Sequence, residues 1–173
     1  MMRHHLAKAF AAAALLALAT PGLAEQETGG ETEFLNSMEG RFSGNGTLQN
    51  ASGSSHSLTC TFNGDQQGPR LSLDGSCSAA AIFSATIKIE LRHDAKTGRY
   101  TGTFKESTGT IANLAGQRQG QRLTLAFNET AESVRPNPPA TLTITSQKGG
   151  VALTLRGSQP GKGQNLDLSL REN

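Results

Sequence analysis

Phe83-Ser84-Ala85-Thr86-Ile87-Lys88-Ile89-Glu90-Leu91-Arg92 sets an apolar residue at every second position and a polar one between. Successive side chains of a β-strand point to opposite faces, so this stretch makes a strand with one oily and one wet side. Working outward, the same period of two returns in Leu58/Cys60/Phe62, Leu71/Leu73, Leu123/Leu125/Phe127, Leu142/Ile144, Val151/Leu153/Leu155 and Leu166/Leu168/Leu170. Half-buried strands of this kind belong to antiparallel sheets.

Turn chemistry punctuates the runs: Asn63-Gly64-Asp65, Gly68-Pro69, Thr97-Gly98, Gly120-Gln121, Gly149-Gly150 and Pro160-Gly161-Lys162-Gly163. Nine or ten strands are predicted, over residues 41–49, 56–63, 69–75, 82–93, 98–105, 108–116, 121–128, 140–147, 150–157 and 164–171. Consecutive hairpins form an up-and-down meander, and closing it into a barrel removes both exposed edges. The alternative, a two-sheet β-sandwich, needs long crossing connections. Only residues 129–139, with Pro136, Pro138 and Pro139, are long enough.

The N-terminus sets the compartment. Arg3 and Lys8 precede an Ala/Leu-rich run over residues 9–19, and Thr20-Pro21-Gly22-Leu23-Ala24 offers a cleavage site after Ala24. This is the pattern of a secretory signal peptide, and the apolar run is too short to span a membrane. The expected organisation is a signal peptide over 1–24, an acidic flexible arm over 25–32 and one β-domain over 33–173. The mature protein is expected in the periplasm or secreted. No later segment is apolar enough to enter a membrane. In an oxidising compartment Cys60 and Cys77, the two cysteines of the chain, are expected to form a disulfide. A short helix is expected over residues 33–39, with Phe34, Leu35 and Met38 on one face and Gly40 as its stop.

Without the signal peptide's Arg3 and Lys8 the charges balance, and Glu25, Glu27, Glu31, Glu33 and Glu39 concentrate acidity at the N-terminal end. The weak basic excess elsewhere is not clustered, which excludes a nucleic-acid stripe. Catalytic constellations are missing too. His56 and His93 are the histidines beyond the signal peptide, and both fall in the apolar phase near strand ends. No nucleophile elbow accompanies them. Among the carboxylates in predicted strands, Asp74, Glu90, Glu106 and Asp167, Glu90 and Asp167 take the solvent phase. No cysteine or histidine spacing fits a metal, and no cofactor is expected. Asn45, Asn50 and Asn128 head glycosylation acceptor triplets, expected to stay unmodified behind a bacterial-type signal peptide.

Gly40-Arg41-Phe42, preceded by the predicted short helix, resembles the opening of the first strand in calycin-type barrels, the group that includes lipocalins and avidins. Those proteins begin that strand with Gly-x-Trp, and Phe42 here takes the aromatic position. The resemblance implies a meander barrel with a late Arg over that ring, for which Arg156 and Arg171 stand as candidates. No second or third lipocalin motif is present, so the resemblance carries a fold and not a function.

The function expected is a non-enzymatic exported barrel of the cell envelope that binds a small apolar ligand. Phe42, Phe83, Ile87, Leu125 and Leu153 share the inward phase and would line the interior, although the same residues could instead fill it. The alternative is a protein-interaction module, such as a protease inhibitor or envelope assembly factor. It would present the acidic arm or the Pro-rich loop to an envelope protein.

Overall fold

The computed structural model describes residues 23–80, 83–128, 130–131, 139–158 and 164–173; of residues 23–28 it describes the backbone alone. One helix, α1 (Leu23–Asn36), precedes ten strands. These are β1 (Gly40–Gln49), β2 (Ser55–Gln67), β3 (Arg70–Ala79), β4 (Phe83–Asp94), β5 (Arg99–Glu106), β6 (Ile111–Gln119), β7 (Arg122–Asn128), β8 (Ala140–Gln147), β9 (Gly150–Gly157) and β10 (Asn165–Glu172). Each strand pairs antiparallel with the next, and β1 pairs with β10, so the sheet closes. The expected meander barrel is therefore the fold, and the sandwich is not.

Alternation sorts the wall as the sequence requires. Leu58, Cys60 and Phe62 on β2, Ile87, Ile89 and Leu91 on β4, and Leu166, Leu168 and Leu170 on β10 all turn into one continuous core. The intervening Thr, Ser, Lys and Glu face water. Register is held by this burial, because a one-residue slip would carry every leucine outside.

Two strands run longer than the turn signals suggest. Asn63-Gly64-Asp65, expected as a turn, lies inside β2, and the reversal comes at Gly68, whose φ is +57°. Gly64 is required for a different reason: a Cβ there would overlap the carbonyl oxygen of Met38. The glycine marks the place where the chain leaving α1 crosses β2. The longer β3 takes in Cys77, directly opposite Cys60, and the two sulfurs are bonded at 2.06 Å.

Two residues on, Gly75 pairs with Phe62, and the Phe62 ring occupies the space above the glycine. The aromatic covers the bare backbone and keeps the wall sealed there.

α1 begins at Leu23 rather than at residue 33, so the segment 25–32, read from its composition as a flexible arm, is helical. Composition misled because the helix takes its stability from tertiary contacts, which composition does not report. Phe34, Leu35 and Met38 are buried in the barrel core, with Met38 wholly inaccessible. Ser37 and Glu39 continue the turn through backbone bonds to Glu33 and Asn36, and Gly40, at φ +111°, swings the chain into β1. The residues before Leu23, which hold most of the expected signal peptide, lie outside the described set.

The two ends of the barrel differ. At the helix end the connections are short: 68–69, 95–98, 120–121 and 148–149. The opposite end, here the mouth, carries the connections 50–54, 80–82, 107–110, 129–139 and 158–164, three of them longer than any at the helix end. Most of the Pro-rich loop and Pro160-Gly161-Lys162-Gly163 lie outside the described residues.

Candidate functional site

Two regions of the wall carry groups beyond those that closure needs. The first is the mouth. Interior side chains become progressively more accessible from the helix end toward it. Leu123 and Ile144 are wholly inaccessible, whereas Leu48, Phe83, Phe127 and Leu155 are only partly buried. Phe104 and Phe127 meet with ring centroids 5.0 Å apart and planes tilted by 45°. Leu48, Leu166 and Leu155 sit directly opposite one another on β1, β10 and β9. His56, opposite Leu48, stands exposed on the rim. The mouth is thus an apolar ring built from four sides of the barrel, with one histidine at its edge.

The second region lies beneath α1. The single tyrosine of the chain, Tyr100 on β5, is completely buried, and its hydroxyl donates to Glu31 Oε2. Arg118 on β6 donates from Nε to Glu31 Oε1 at 2.8 Å, and its guanidinium lies 5.2 Å from the centre of the Phe34 ring. The side chains of this ion pair are 17% and 18% exposed, so water screens it far less than a surface pair. Phe34 meets Tyr100 edge-on at 6.4 Å. His93 also packs against Tyr100, with ring centroids 4.9 Å apart, and its Nε2 is buried with no hydrogen-bond partner. The Ser37 hydroxyl donates to the Phe34 carbonyl at 2.6 Å and shares a hydrogen bond with Ser146 Oγ on β8, 2.7 Å away.

Burial pushes the Tyr100 phenol well above its ordinary value. The hydrogen bond to Glu31 and that group's negative charge add to the shift, and Arg118 opposes it. Tyr100 therefore stays a neutral donor throughout the physiological range.

The sequence reading missed this cluster, although a signal was there. Arg118 shares the inward phase of Ala112 and Leu114 on β6, and Tyr100 that of Phe104 on β5. A charge or a phenol in an inward phase demands a buried partner. The partner, Glu31, came from the segment read as an arm.

The other candidate residues are dispersed. Phe42, Leu125 and Leu153 are buried core residues, Ile87 is nearly so, and Phe83 stands at the mouth. Neither Arg156 nor Arg171 covers Phe42. Each follows an inward leucine and so takes the outward phase. Arg156 instead pairs with Asp167 at 2.5 Å near the mouth, and the cation over an aromatic ring is Arg118 on Phe34. Glu90 and Asp167 are about half exposed, as their phase requires. Glu106 accepts from the Thr108 backbone N–H at 2.8 Å and so closes the β5–β6 turn. Asn50 Oδ1 does the same for the β1–β2 turn, accepting from Ser52 and Ser54. Among the described residues no group of three His, Cys, Asp or Glu could hold a metal. No helix there is long and apolar enough to cross a membrane. A concavity of about 910 Å³ is lined by outward residues such as Thr61, Asn63, Asp74 and Lys88 together with Phe42, Phe62 and Ile87.

No family model and no curated protein matches the chain. Solved structures do resemble it. The crystal structure of Rv2717c from M. tuberculosis superposes with a TM-score of 0.64 at 14% identity, covering 83% of this chain and 97% of that one. The S-type phycobiliprotein lyase CPES from Guillardia theta superposes at 0.53 and 11% identity, covering 88% and 98%. At these identities the likeness is one of fold. The chain is a closed antiparallel barrel of ten strands, similar in fold to both.

Proposed function

We propose that this protein is an exported barrel that binds a small apolar molecule at its mouth and catalyses no reaction on it. The observation that carries the reading is the ring of partly exposed apolar side chains, Leu48, Phe83, Phe127 and Leu155, facing inward at one end only. An eight-stranded barrel is about as wide as its own side chains can fill. This wall has ten strands, and α1 with the turn after it adds Phe34, Leu35 and Met38 to the filling at the far end. The mouth has no such plug among the described residues. Partly exposed aromatic and aliphatic groups gathered at one end are surface that an apolar ligand would cover. The N-terminal charge-and-apolar pattern and the Cys60–Cys77 bridge support export.

An uncharged environment-sensitive dye, N-phenyl-1-naphthylamine, tests the reading. Its emission should rise saturably on adding the protein. Phe127→Asp, which puts a charge on the rim, should weaken that binding by about tenfold or more, since burying a carboxylate is strongly unfavourable. Equal binding by both proteins, or none by either, would remove the mouth as a ligand site.

A further inference from the structure

We propose that Arg118 and Tyr100 form a receptor for an organic carboxylate, and that in the resting chain its occupant is the chain's own Glu31. Two donors from neighbouring strands converge on one carboxylate: Arg118 Nε on Oε1 at 2.8 Å, and the Tyr100 hydroxyl on Oε2. Neither strand needs this pair to close the barrel, since β5 and β6 are joined by their own ladder through Tyr100–Gly116 and Thr101–Ala115. The donors are fixed by the wall, whereas the acceptor rides on a separate element. His93 Nε2, buried against Tyr100 and unpartnered, is a third polar group in the same place that Glu31 does not satisfy.

The occupant also defines what could replace it. To this site α1 offers the Glu31 carboxylate, followed by the apolar Phe34 and Leu35, with Met38 just past the helix, all three buried. A competitor with the same chemistry is an aliphatic monocarboxylate: its head takes the Arg118–Tyr100 donors and its tail takes the space of the Phe34 ring. Gly29 and Gly30, the two residues before Glu31, weaken the helix just where it would have to yield. A tethered carboxylate acts as a competitor of high effective concentration. Removing its charge should therefore expose the receptor's affinity. The site is at the opposite end from the mouth and does not depend on the apolar reading given to that end.

Tyr100 is the chain's one tyrosine, and there is no tryptophan, so intrinsic emission reports directly on the site. Dodecanoate, below its micellar concentration, would be titrated into the full chain and into Glu31→Gln, with dodecan-1-ol as the uncharged control. Glu31→Gln should bind dodecanoate about tenfold or more tighter than the unaltered chain, by the logic of a removed competitor. Adding Arg118→Gln should abolish the gain, and dodecan-1-ol should bind all three proteins alike. The proposal fails if Glu31→Gln gains nothing for dodecanoate or gains equally for the alcohol. It fails also if Tyr100 emission never changes saturably. Should Glu31→Gln not fold, Glu31→Asp, which keeps the charge but shortens its reach, should show a smaller gain of the same kind, and no gain there is equally fatal.

Discussion

Alkali should unfold this barrel through Tyr100. The phenol is wholly inaccessible and hydrogen-bonded to an anion, which holds its native pKa well above the unfolded value of about 10. A group raised on folding stabilises the native state fully below its unfolded pKa. That stability is lost as the pH climbs toward the native value, because only the unfolded chain then releases the proton. Each pH unit above about 10 removes about 1.4 kcal/mol, so about 2.7 kcal/mol is gone by about pH 12. That is a large share of the roughly 5–15 kcal/mol that holds a domain together. The assay is absorbance at the tyrosinate band during alkaline titration, followed beside far-ultraviolet circular dichroism. Because Tyr100 is the one tyrosine, the band has one source. Tyrosinate should appear only together with loss of the β-spectrum, in one cooperative and steeply pH-dependent step. Reversible ionisation near pH 10 in a protein that keeps its native spectrum would refute the buried Tyr100–Glu31 arrangement.

Other outcomes follow from the same contacts. Gly64→Ala should loosen α1, since its Cβ has only the Met38 carbonyl to occupy. We expect a cost of about 1–3 kcal/mol in urea unfolding, and faster proteolysis between α1 and β1. Phe104→Ala should cost about 3–5 kcal/mol as a buried aromatic deletion, and should also weaken binding of the mouth dye. Replacing both Cys60 and Cys77 by Ala should keep the barrel, because the pair joins strands already in register. Its cost should be about 3 kcal/mol at most, read from the shift in the urea midpoint. Arg118→Gln should cost about 1–3 kcal/mol, and sodium chloride should barely change that difference because the pair is shielded from water.

The wall of the barrel was legible because each strand states its own face. Ile87, Ile89 and Leu91 need no knowledge of their neighbours to be placed inward. The turns at Gly98, Gly120 and Gly149 were legible for the same local reason, as each takes a positive φ. Gly64 was misread because a glycine that reverses the chain and one that lets another segment pass look alike in sequence. The Glu31–Arg118–Tyr100 cluster was hidden for a related reason. Its members lie 69 and 87 residues from Glu31, and their meeting depends on where the helix docks. The helix itself was half seen: Phe34, Leu35 and Met38 announced their common face, but the turns before them hold few apolar groups and take their order from the packing that follows.

The seam between β1 and β10, where the Asn173 backbone N–H donates to the Arg41 carbonyl at 3.0 Å, governs the order of assembly. While the chain emerges from the ribosome, β1 and β9 lack this last partner, and both remain sticky borders until β10 arrives. Completion is therefore a late, all-at-once event that demands contacts across nearly the whole sequence, which makes it slow.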